Sequence, residues 1–164
     1  MRREALLDAA EELLDEQGAQ GLTLAAVAER AGVSKGGLLY HFASKQSLIS
    51  GMIERLIAEF DALVEAQRQD TYTKAYLDAT IAAITAGRLK RWAVVTGASG
   101  DPHLLAPLRE AMERWHSQGI GAELDPEASR VVRLACGGLW EIAAHCPGVS
   151  TDHDALRRRL LALL

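Results

Sequence analysis

The segment from residue 22 to residue 48, LTLAAVAERAGVSKGGLLYHFASKQSL, constrains the fold most strongly, because it encodes two short helices joined by a tight turn. Thr23 can cap a first helix whose apolar residues recur at i, i+3, i+4 and i+7, the spacing of one buried helical face. A glycine ends that helix, and Ser34 suits the N-cap of the second. Val33 and Leu38 can then form a hydrophobic staple that fixes the entry angle of the chain. The pattern predicts a helix-turn-helix, whose second helix enters the major groove of DNA.

The sequence from Gly32 to Leu48, GVSKGGLLYHFASKQSL, resembles the end of the DNA-binding domain in the TetR family of ligand-responsive transcriptional regulators. Upstream, the stretch that begins at Arg3 matches the first two helices of that domain, whereas beyond Leu48 the resemblance is only architectural. It implies an all-α fold, in which an N-terminal three-helix helix-turn-helix head is joined by a long helix to a helical ligand-binding and dimerisation body. We therefore expect a helix-turn-helix DNA-binding domain over residues 1–46 and a ligand-binding and dimerisation domain over residues 47–164.

The function implied by the resemblance is that of a sequence-specific DNA-binding transcriptional regulator. We expect a homodimer that binds a palindromic operator in double-stranded DNA and acts as a repressor released by a small organic ligand. The length of 164 residues suffices for a small head and a larger body, and 49% hydrophobic residues indicate a folded chain. The chain has no run of 18 apolar residues and no signal-peptide core, so we expect no membrane partner and a cytoplasmic location.

The charge distribution bears on the nucleic-acid partner. The formal net charge of −4 argues against DNA binding, because lysine and arginine supply much of the affinity for phosphates. Between residues 30 and 45, however, the chain carries no carboxylate and three cations, Arg30, Lys35 and Lys45. The first helix carries six acids: Glu4, Asp8, Glu11, Glu12, Asp15 and Glu16. This distribution favours a local basic patch, and the alternative is three scattered, solvated charges.

The predicted DNA contacts are Thr23, Ser34, Lys35, Gly36, Gly37, Tyr40, His41 and Lys45. A phosphate can bind at the free N–H groups behind Ser34, although capping alone also explains this serine, and at Thr23 both roles are compatible. Lys35 can reach a phosphate or a guanine edge, or can remain a solvated surface lysine. His41 can donate to a phosphate or to the last carbonyls of its helix.

Three further features of this segment point to DNA. Glycine inside a helix costs about 1 kcal/mol relative to alanine, so Gly36 and Gly37 favour close approach of the backbone to the groove. In the resembled family an aromatic residue at the position of Tyr40 contacts the DNA backbone. Many members carry two aromatics where this chain has Leu39 and Tyr40, so a hydroxyl contact is absent at residue 39. A cation in the first turn of a helix is unfavourable, which a phosphate beside Lys45 would explain.

Apolar periodicity and capping signals predict the other helices. The first should run from Arg3 to Gln17 and stop at Gly18, and the connecting helix should run from Ser44 to about Gln67. After the connecting helix we expect a helix over Tyr76–Ala86, a short segment over Leu89–Thr96 and a turn over Gly97–Gly100. A helix should then run from Asp101 and Pro102 to about Gln118, and another should start at Asp125 and Pro126 and end at the break from Cys146 to Gly148. A capping box at Thr151–Asp154 should open the terminal helix.

Two apolar helix faces near the end of the chain predict pairing with a second subunit, the alternative being that they complete the core of one subunit. The dimerisation residues are Val131, Leu134, Ala135, Gly138, Leu139, Ile142, Leu156 and Leu160. The resemblance also implies a ligand pocket, for which we select Phe60, Tyr76, Ile84, Trp92, Leu105, Met112 and Trp115. Aromatic residues and methionines at helical spacing are, however, more often core than ligand contacts.

The alternatives are a helical interaction module whose head no longer reads DNA, or a metal-binding enzyme built on the histidines of the body. The sequence has no HExxH, GxSxG, glycine-rich phosphate loop or paired-cysteine ligand set, so we expect no catalysis, no cofactor and no metal. The pair of Glu113 and His116 has ordinary surface spacing on a helix. Cys136 and Cys146 lack metal-ligand spacing, and we expect both to be buried, reduced thiols.

Overall fold

The computed structural model describes residues 2–67, 69–98, 101–146, 148–149 and 151–164. Every regular element in these ranges is a helix, which confirms the all-α fold class. The α-helices are α1 (Arg2–Gly21), α2 (Leu24–Arg30), α3 (Lys35–His41), α4 (Lys45–Ala66), α5 (Tyr72–Thr85), α6 (Arg88–Ala98), α7 (Ala106–Ser117), α8 (Pro126–His145) and α9 (His153–Leu161), with 3-10 turns at Pro102–Leu105 and Ile120–Ala122. None of these helices is both long and apolar enough to cross a bilayer.

The chain packs into two compact units. Unit 1 contains the chain up to Leu56 together with Arg91–Leu108, and unit 2 contains Ile57–Lys90 and Arg109–Leu164. The long helix α4 contributes residues to both units. The division of function between a head that ends at residue 46 and a body that follows it stays a prediction.

The helix-turn-helix forms as its capping signals predict. Thr23 Oγ1 accepts a hydrogen bond from Ala26 N at 3.1 Å, and Ser34 Oγ accepts one from Gly37 N at 3.1 Å. Gly32 adopts a left-handed φ of 65° between α2 and α3, where a side chain would be strained. The buried residues of this unit include Leu6, Leu7, Leu13, Leu14, Val27, Leu38, Phe42 and Leu48. The apolar face of α3 is thus anchored in a core, and its orientation is set.

The first helix contains the predicted break but continues past it. Gly18 has φ 67° and ψ −170°, so the helical path is interrupted at this residue, and a last turn then reaches Gly21. The carbonyl of Ala19 in this last turn accepts a hydrogen bond from Lys45 Nζ at 3.0 Å. The kink therefore places a backbone acceptor where the first residue of α4 can use it.

Several predicted boundaries are wrong by a few residues. Helix α5 begins at Tyr72 rather than Tyr76, because Thr71 Oγ1 accepts a hydrogen bond from Lys74 N and provides an earlier N-cap. Helix α9 is capped by Asp152 rather than Thr151, since Asp152 Oδ1 accepts from Ala155 N at 2.9 Å. Helix α6 includes Gly97, which the sequence assigned to a turn. The rest of that turn, residues 99 and 100, and Pro147 in the predicted break lie outside the described residues.

The core of unit 2 is aromatic. The ring of Phe60 lies 5.6 Å from that of Tyr76, 4.8 Å from that of Trp115 and 4.8 Å from that of Trp140, each at a steep angle. Edge-to-face pairs of this kind are preferred over face-to-face stacking. Trp115 also donates its Nε1–H to Asp61 Oδ1 at 2.6 Å. The four rings join α4, α5, α7 and α8 in one cluster, in which Phe60, Tyr76 and Trp115 are buried and Trp140 is partly exposed.

A buried arginine organises the polar part of unit 2. Arg133 is fully buried and donates to Thr73 Oγ1 at 2.9 Å, to Glu123 Oε1 at 3.2 Å and to the carbonyls of Trp115 and Gln118 at 3.1 and 2.7 Å. Glu123 Oε1 also accepts from the backbone N and the hydroxyl of Thr73, at 3.0 and 2.8 Å. Burial lowers the pKa of Arg133, and the Glu123 carboxylate acts in the opposite direction. The guanidinium thereby satisfies carbonyls at the end of α7 that have no helical partner.

The two thiols differ in environment. Cys136 is buried within α8, and burial raises its pKa to about 12, so the thiol stays protonated. Cys146 is exposed, and the prediction that both thiols are buried is wrong for this residue. The difference has a simple origin, since Cys146 follows the last residue of α8 and no longer belongs to its packed face.

Candidate nucleic-acid interface

Helix α3 presents one face to solvent and one to the core. Leu38 is fully buried, whereas Lys35 and Leu39 are exposed and Tyr40 is 85% exposed. The Tyr40 ring contacts the ring of His41 edge-on, with 5.1 Å between the ring centroids, and most of the tyrosine side chain remains open to solvent. The predicted contacts Lys35 and Tyr40 are therefore both open to solvent on this helix.

The two glycines of α3 are not required by the packing of the chain. A Cβ built on Gly36 would meet nothing closer than Ser34 Oγ at 3.9 Å, and one built on Gly37 would lie 3.4 Å from the same oxygen. Both residues are exposed. Neither glycine adopts a left-handed conformation, so the conformation of the backbone does not require glycine at these two positions. Close approach of another molecule to this backbone remains the interpretation for Gly36 and Gly37.

The two cap residues already have structural roles. The side chains of Thr23 and Ser34 accept hydrogen bonds from backbone N–H groups of the helices that they begin. Capping alone is worth about 1 kcal/mol and suffices to explain both residue types. Their phosphate contacts stay predictions.

Lys45 has a partner that the sequence did not indicate. Its Nζ donates to the Ala19 carbonyl at 3.0 Å, and its side chain is only partly exposed. The carbonyl is a favourable partner for the cation and accounts for its position in the first turn of α4. The position of Lys45 is therefore explained without a phosphate, and its contact with DNA stays a prediction.

The predicted basic patch is redistributed in the structure. Arg30 forms ion pairs with Glu12 at 3.2 Å and with Glu16 at 2.7 Å, and its hydrogen bond lowers the pKa of Glu16. The positive charge of Arg30 is thus compensated by α1, and counting it as part of a free patch is wrong. Arg2, which lies outside the predicted patch in the sequence, is placed beside α3, where it lines a cavity of about 310 Å³ with Ser34 and His41.

Comparison with known proteins assigns the chain to a family. Residues 6–52 match the family model for bacterial regulatory proteins of the tetR family, and residues 70–164 match the model for a tetracyclin repressor-like C-terminal domain. The chain belongs to the TetR family. Its members are regulatory proteins and not enzymes, which confirms the expectation of no catalysis. Within the described residues, no group of three or more His, Cys, Asp and Glu side chains could hold a metal ion.

Individual relatives agree with this family assignment. The HTH-type transcriptional regulator BetI from Burkholderia mallei is 29% identical over 134 residues, which cover 82% of this chain and 61% of BetI. BetI from Serratia proteamaculans is 28% identical over 153 residues, covering 85% of this chain and 75% of the relative. The chain thus spans about three fifths of the length of the Burkholderia relative.

Solved structures share the fold of this TetR-family chain. A transcriptional regulator from Rhodococcus sp. Rha1 superposes with a TM-score of 0.76 at 21% identity, covering 100% of this chain and 96% of that chain. The multidrug binding protein EbrR, complexed with malachite green, gives a TM-score of 0.72 at 22% identity and covers 100% and 98% of the two chains. At these identities the likeness establishes the fold alone.

The residues predicted to line a ligand pocket in this TetR-family chain fall into different environments. Phe60, Tyr76 and Trp115 pack together in the core of unit 2, whereas Met112 is 43% exposed. Ile84 is half-buried in unit 2, and Trp92 and Leu105 belong to unit 1. A cavity of about 510 Å³ in unit 2 has other walls: Asp61, Val64, Glu65, Gln69, Asp70, Thr71, Tyr72, Ala75, Arg114 and Gln118. None of the seven predicted residues lines this cavity, and their role in ligand binding stays a prediction.

The predicted dimerisation residues divide into an exposed and a buried group. Val131, Leu134 and Ile142 are 54%, 67% and 37% exposed, and Gly138 is exposed between them. Their spacing of three and four residues puts them on one face of α8, which we call the α8 stripe. Ala135 and Leu156 are half-buried, whereas Leu139 and Leu160, both 7% exposed, pack within unit 2 as parts of the subunit's own core.

Proposed function

We propose that this chain is a dimeric repressor of transcription that binds a palindromic operator through α3 of each subunit and is released by a small organic molecule. The observation that carries the proposal is the open face of α3, where Lys35, Leu39 and Tyr40 are exposed while Leu38 anchors the helix. A recognition helix needs one exposed and one buried face, because the exposed face contacts the base edges while the buried face fixes the orientation of the helix. The relatives named HTH-type transcriptional regulators support the same function.

The direct test is to select fragments of genomic DNA with the purified full chain and to measure the affinity for the enriched sequence. We expect footprints on two half-sites whose centres lie about 34–36 Å apart, one turn of the DNA helix. Enrichment of no sequence over bulk DNA would contradict the proposal. The genes beside the enriched sites would also indicate the chemical class of the effector.

Two variants test the role of the open face. Lys35→Ala should weaken binding to the selected duplex more than to a random duplex if Lys35 reads a base edge, and equally if it binds a phosphate. Tyr40→Phe should weaken both equally if the tyrosine hydroxyl binds a phosphate. Lys74→Ala, in unit 2, is the matched control, because its ammonium is paired with Asp70 at 3.0 Å. An effect of the control as large as that of Lys35→Ala would contradict a specific role for α3.

The α8 stripe supports the proposed dimer. It exposes three large aliphatic side chains on one helical face, a pattern typical of an association surface rather than of a solvated helix. The small residue Gly138 between them allows a second helix to approach closely. A two-fold pair of subunits would bury this stripe against its own copy and would present two α3 helices to the two half-sites.

The dimer is tested by measuring the mass of the full chain in solution. Leu134→Asp should convert the dimer to a monomer, because pairing would bury an unpaired carboxylate in an apolar interface. Leu124→Asp is the matched control, since Leu124 is 94% exposed and lies outside the α8 stripe. A wild-type monomer at micromolar concentration, or equal loss of dimer in both variants, would contradict this interface.

The proposed effector is a small organic molecule held by the body. EbrR, whose fold this chain shares, forms complexes with malachite green and with imidazole, which supports a similar use of the body here. A released repressor requires a ligand that binds the DNA-incompetent state more tightly, and such coupling typically changes affinity about 5- to 150-fold. A compound that raises the melting temperature of the protein should therefore weaken operator binding. Stabilising compounds that leave DNA affinity unchanged would contradict release by ligand.

A further inference from the structure

We infer that Arg2 contacts a backbone phosphate of the operator and supplies the positive charge that the sequence assigns to Arg30. The inference rests on the proposed DNA-binding function and extends it to a residue outside the helix-turn-helix. Two observations support it: the ion pairs formed by the cations of residues 2–56, and the cavity that Arg2 lines together with residues of α3.

Most arginines in this segment are neutralised inside the unit. Arg3 pairs with Glu54 at 3.2 Å, and Arg30 pairs with Glu16 at 2.7 Å. Arg55 pairs with Asp8 at 2.6 Å and is largely covered. Arg30 and Arg55 thereby compensate the α1 carboxylates of Glu16 and Asp8, which would otherwise repel DNA.

Arg2 and Lys35 differ from these residues. Both side chains are exposed, and neither has a carboxylate within ion-pair distance among the residues that the structure describes. Lys45 bonds to a carbonyl and so also keeps its full charge. Among the described residues of this segment, the uncompensated cations are therefore Arg2, Lys35 and Lys45, of which only the two lysines lie within residues 30–45.

Arg2 lies where a phosphate next to α3 would be. It lines a cavity of about 310 Å³ together with Gly32, Ser34, Gly37 and His41. Ser34 Oγ already accepts the Gly37 N–H, so its hydroxyl hydrogen is left to donate, and His41 adds a ring nitrogen. A guanidinium offers donors in a planar fork that matches two phosphate oxygens. The cavity thus gathers donors of the kind that bind phosphate, with no carboxylate among its walls.

The occupant that fits best is a phosphodiester of the DNA backbone rather than a free phosphate ion. The cavity adjoins α3, and its walls Ser34, Gly37 and His41 are themselves residues predicted to contact DNA. A phosphate seated there would fix the position of α3 along the groove without reading sequence. Arg2 is accordingly a positioning residue for DNA recognition.

The test is the salt dependence of DNA affinity for the full chain, measured by fluorescence anisotropy on the selected duplex and on a random duplex. Each phosphate contact contributes about 0.9 to the slope of log K against log salt concentration. Arg2→Gln should reduce the magnitude of the slope by about 0.9 per subunit and weaken both duplexes by the same factor. Arg30→Gln is the matched control and should leave the slope unchanged, because the charge of Arg30 is already compensated.

Three outcomes would overturn the inference. An unchanged slope for Arg2→Gln, or an equal reduction for Arg30→Gln, would show that Arg2 makes no specific phosphate contact, while wild-type binding would keep the proposed function intact. The cavity would be assigned to a free anion by a combination of two results. The melting temperature of the wild-type chain, but not that of Arg2→Gln, would rise when phosphate replaces chloride at equal ionic strength, and Arg2→Gln would leave the salt slope of DNA binding unchanged. Failure of the wild-type chain to bind any duplex would instead refute the proposed function itself.

Discussion

Replacing Arg133 by methionine should strongly destabilise unit 2. Methionine keeps much of the length and apolar volume of the side chain but removes every donor. Glu123, whose side chain is 5% exposed, then becomes a buried carboxylate without its cation, and the carbonyls of Trp115 and Gln118 lose their donor. Removing one partner of a buried ion pair typically costs about 3–5 kcal/mol. For a chain of this size that corresponds to a fall in melting temperature of roughly 6–20 °C.

The measurement is urea denaturation followed by far-ultraviolet circular dichroism, at matched protein concentration because association contributes to the stability of a dimer. Arg130→Met is the matched control on the same helix, since Arg130 and Glu127 form an exposed pair worth about 0–1 kcal/mol. Adding Glu123→Gln to Arg133→Met should restore part of the loss, because it removes the unpaired charge and keeps an acceptor for Thr73. A loss in the free energy of unfolding for Arg133→Met within about 1 kcal/mol of that for Arg130→Met would show that the buried pair does not hold unit 2 together.

Three further predictions follow from the thiols, the helical glycine and the first residue of α4. In the folded chain a thiol reagent at neutral pH should modify Cys146 alone, because Cys136 is buried with a pKa raised to about 12, and equal reaction of both thiols would contradict this burial. Gly36→Ala should raise the free energy of unfolding by up to about 1 kcal/mol, since nothing in the subunit obstructs a Cβ. The same substitution should weaken operator binding measured by anisotropy. Unchanged DNA affinity would contradict a close approach of the Gly36 backbone to the DNA groove. Lys45→Ala should weaken binding to all duplexes and reduce the salt slope by about one per subunit, whereas an unchanged slope would restrict Lys45 to its hydrogen bond with Ala19.

Sequence patterns predicted the helix-turn-helix closely because its signals are local. The caps Thr23 and Ser34 act on N–H groups three residues away, and the break at Gly18 depends on the conformation of that residue alone. Predictions failed by a few residues where an alternative cap lay nearby, as at Thr71 and Asp152. Two neighbouring N-cap residues stabilise a helix by similar amounts, so the packing of the helix decides at which of them it begins.

The candidate interface was predictable in its residue types but not in its electrostatics. The chain shows that residues 30 to 45 carry three cations, yet it does not show that Arg30 faces two carboxylates 14 and 18 residues earlier. Nor does it indicate that Arg2 shares a cavity with His41. Ion pairing depends on separations of a few ångströms in space, which a one-dimensional charge count cannot supply.

By itself, the sequence determined the helical class, the order of the helices and the recognition motif, because these depend on periodicity and capping within a few neighbouring residues. The family was indicated by the resemblance of residues 32–48 to a known DNA-binding domain. Only the tertiary structure decided which cations keep their charge, which apolar residues of α8 face solvent, and that Arg133 and Glu123 form a buried pair. Residues distant along the chain determine these properties, since burial and electrostatic energy are set by all neighbours in space. The charge and the apolar character of the surface of this TetR-family chain are therefore products of packing.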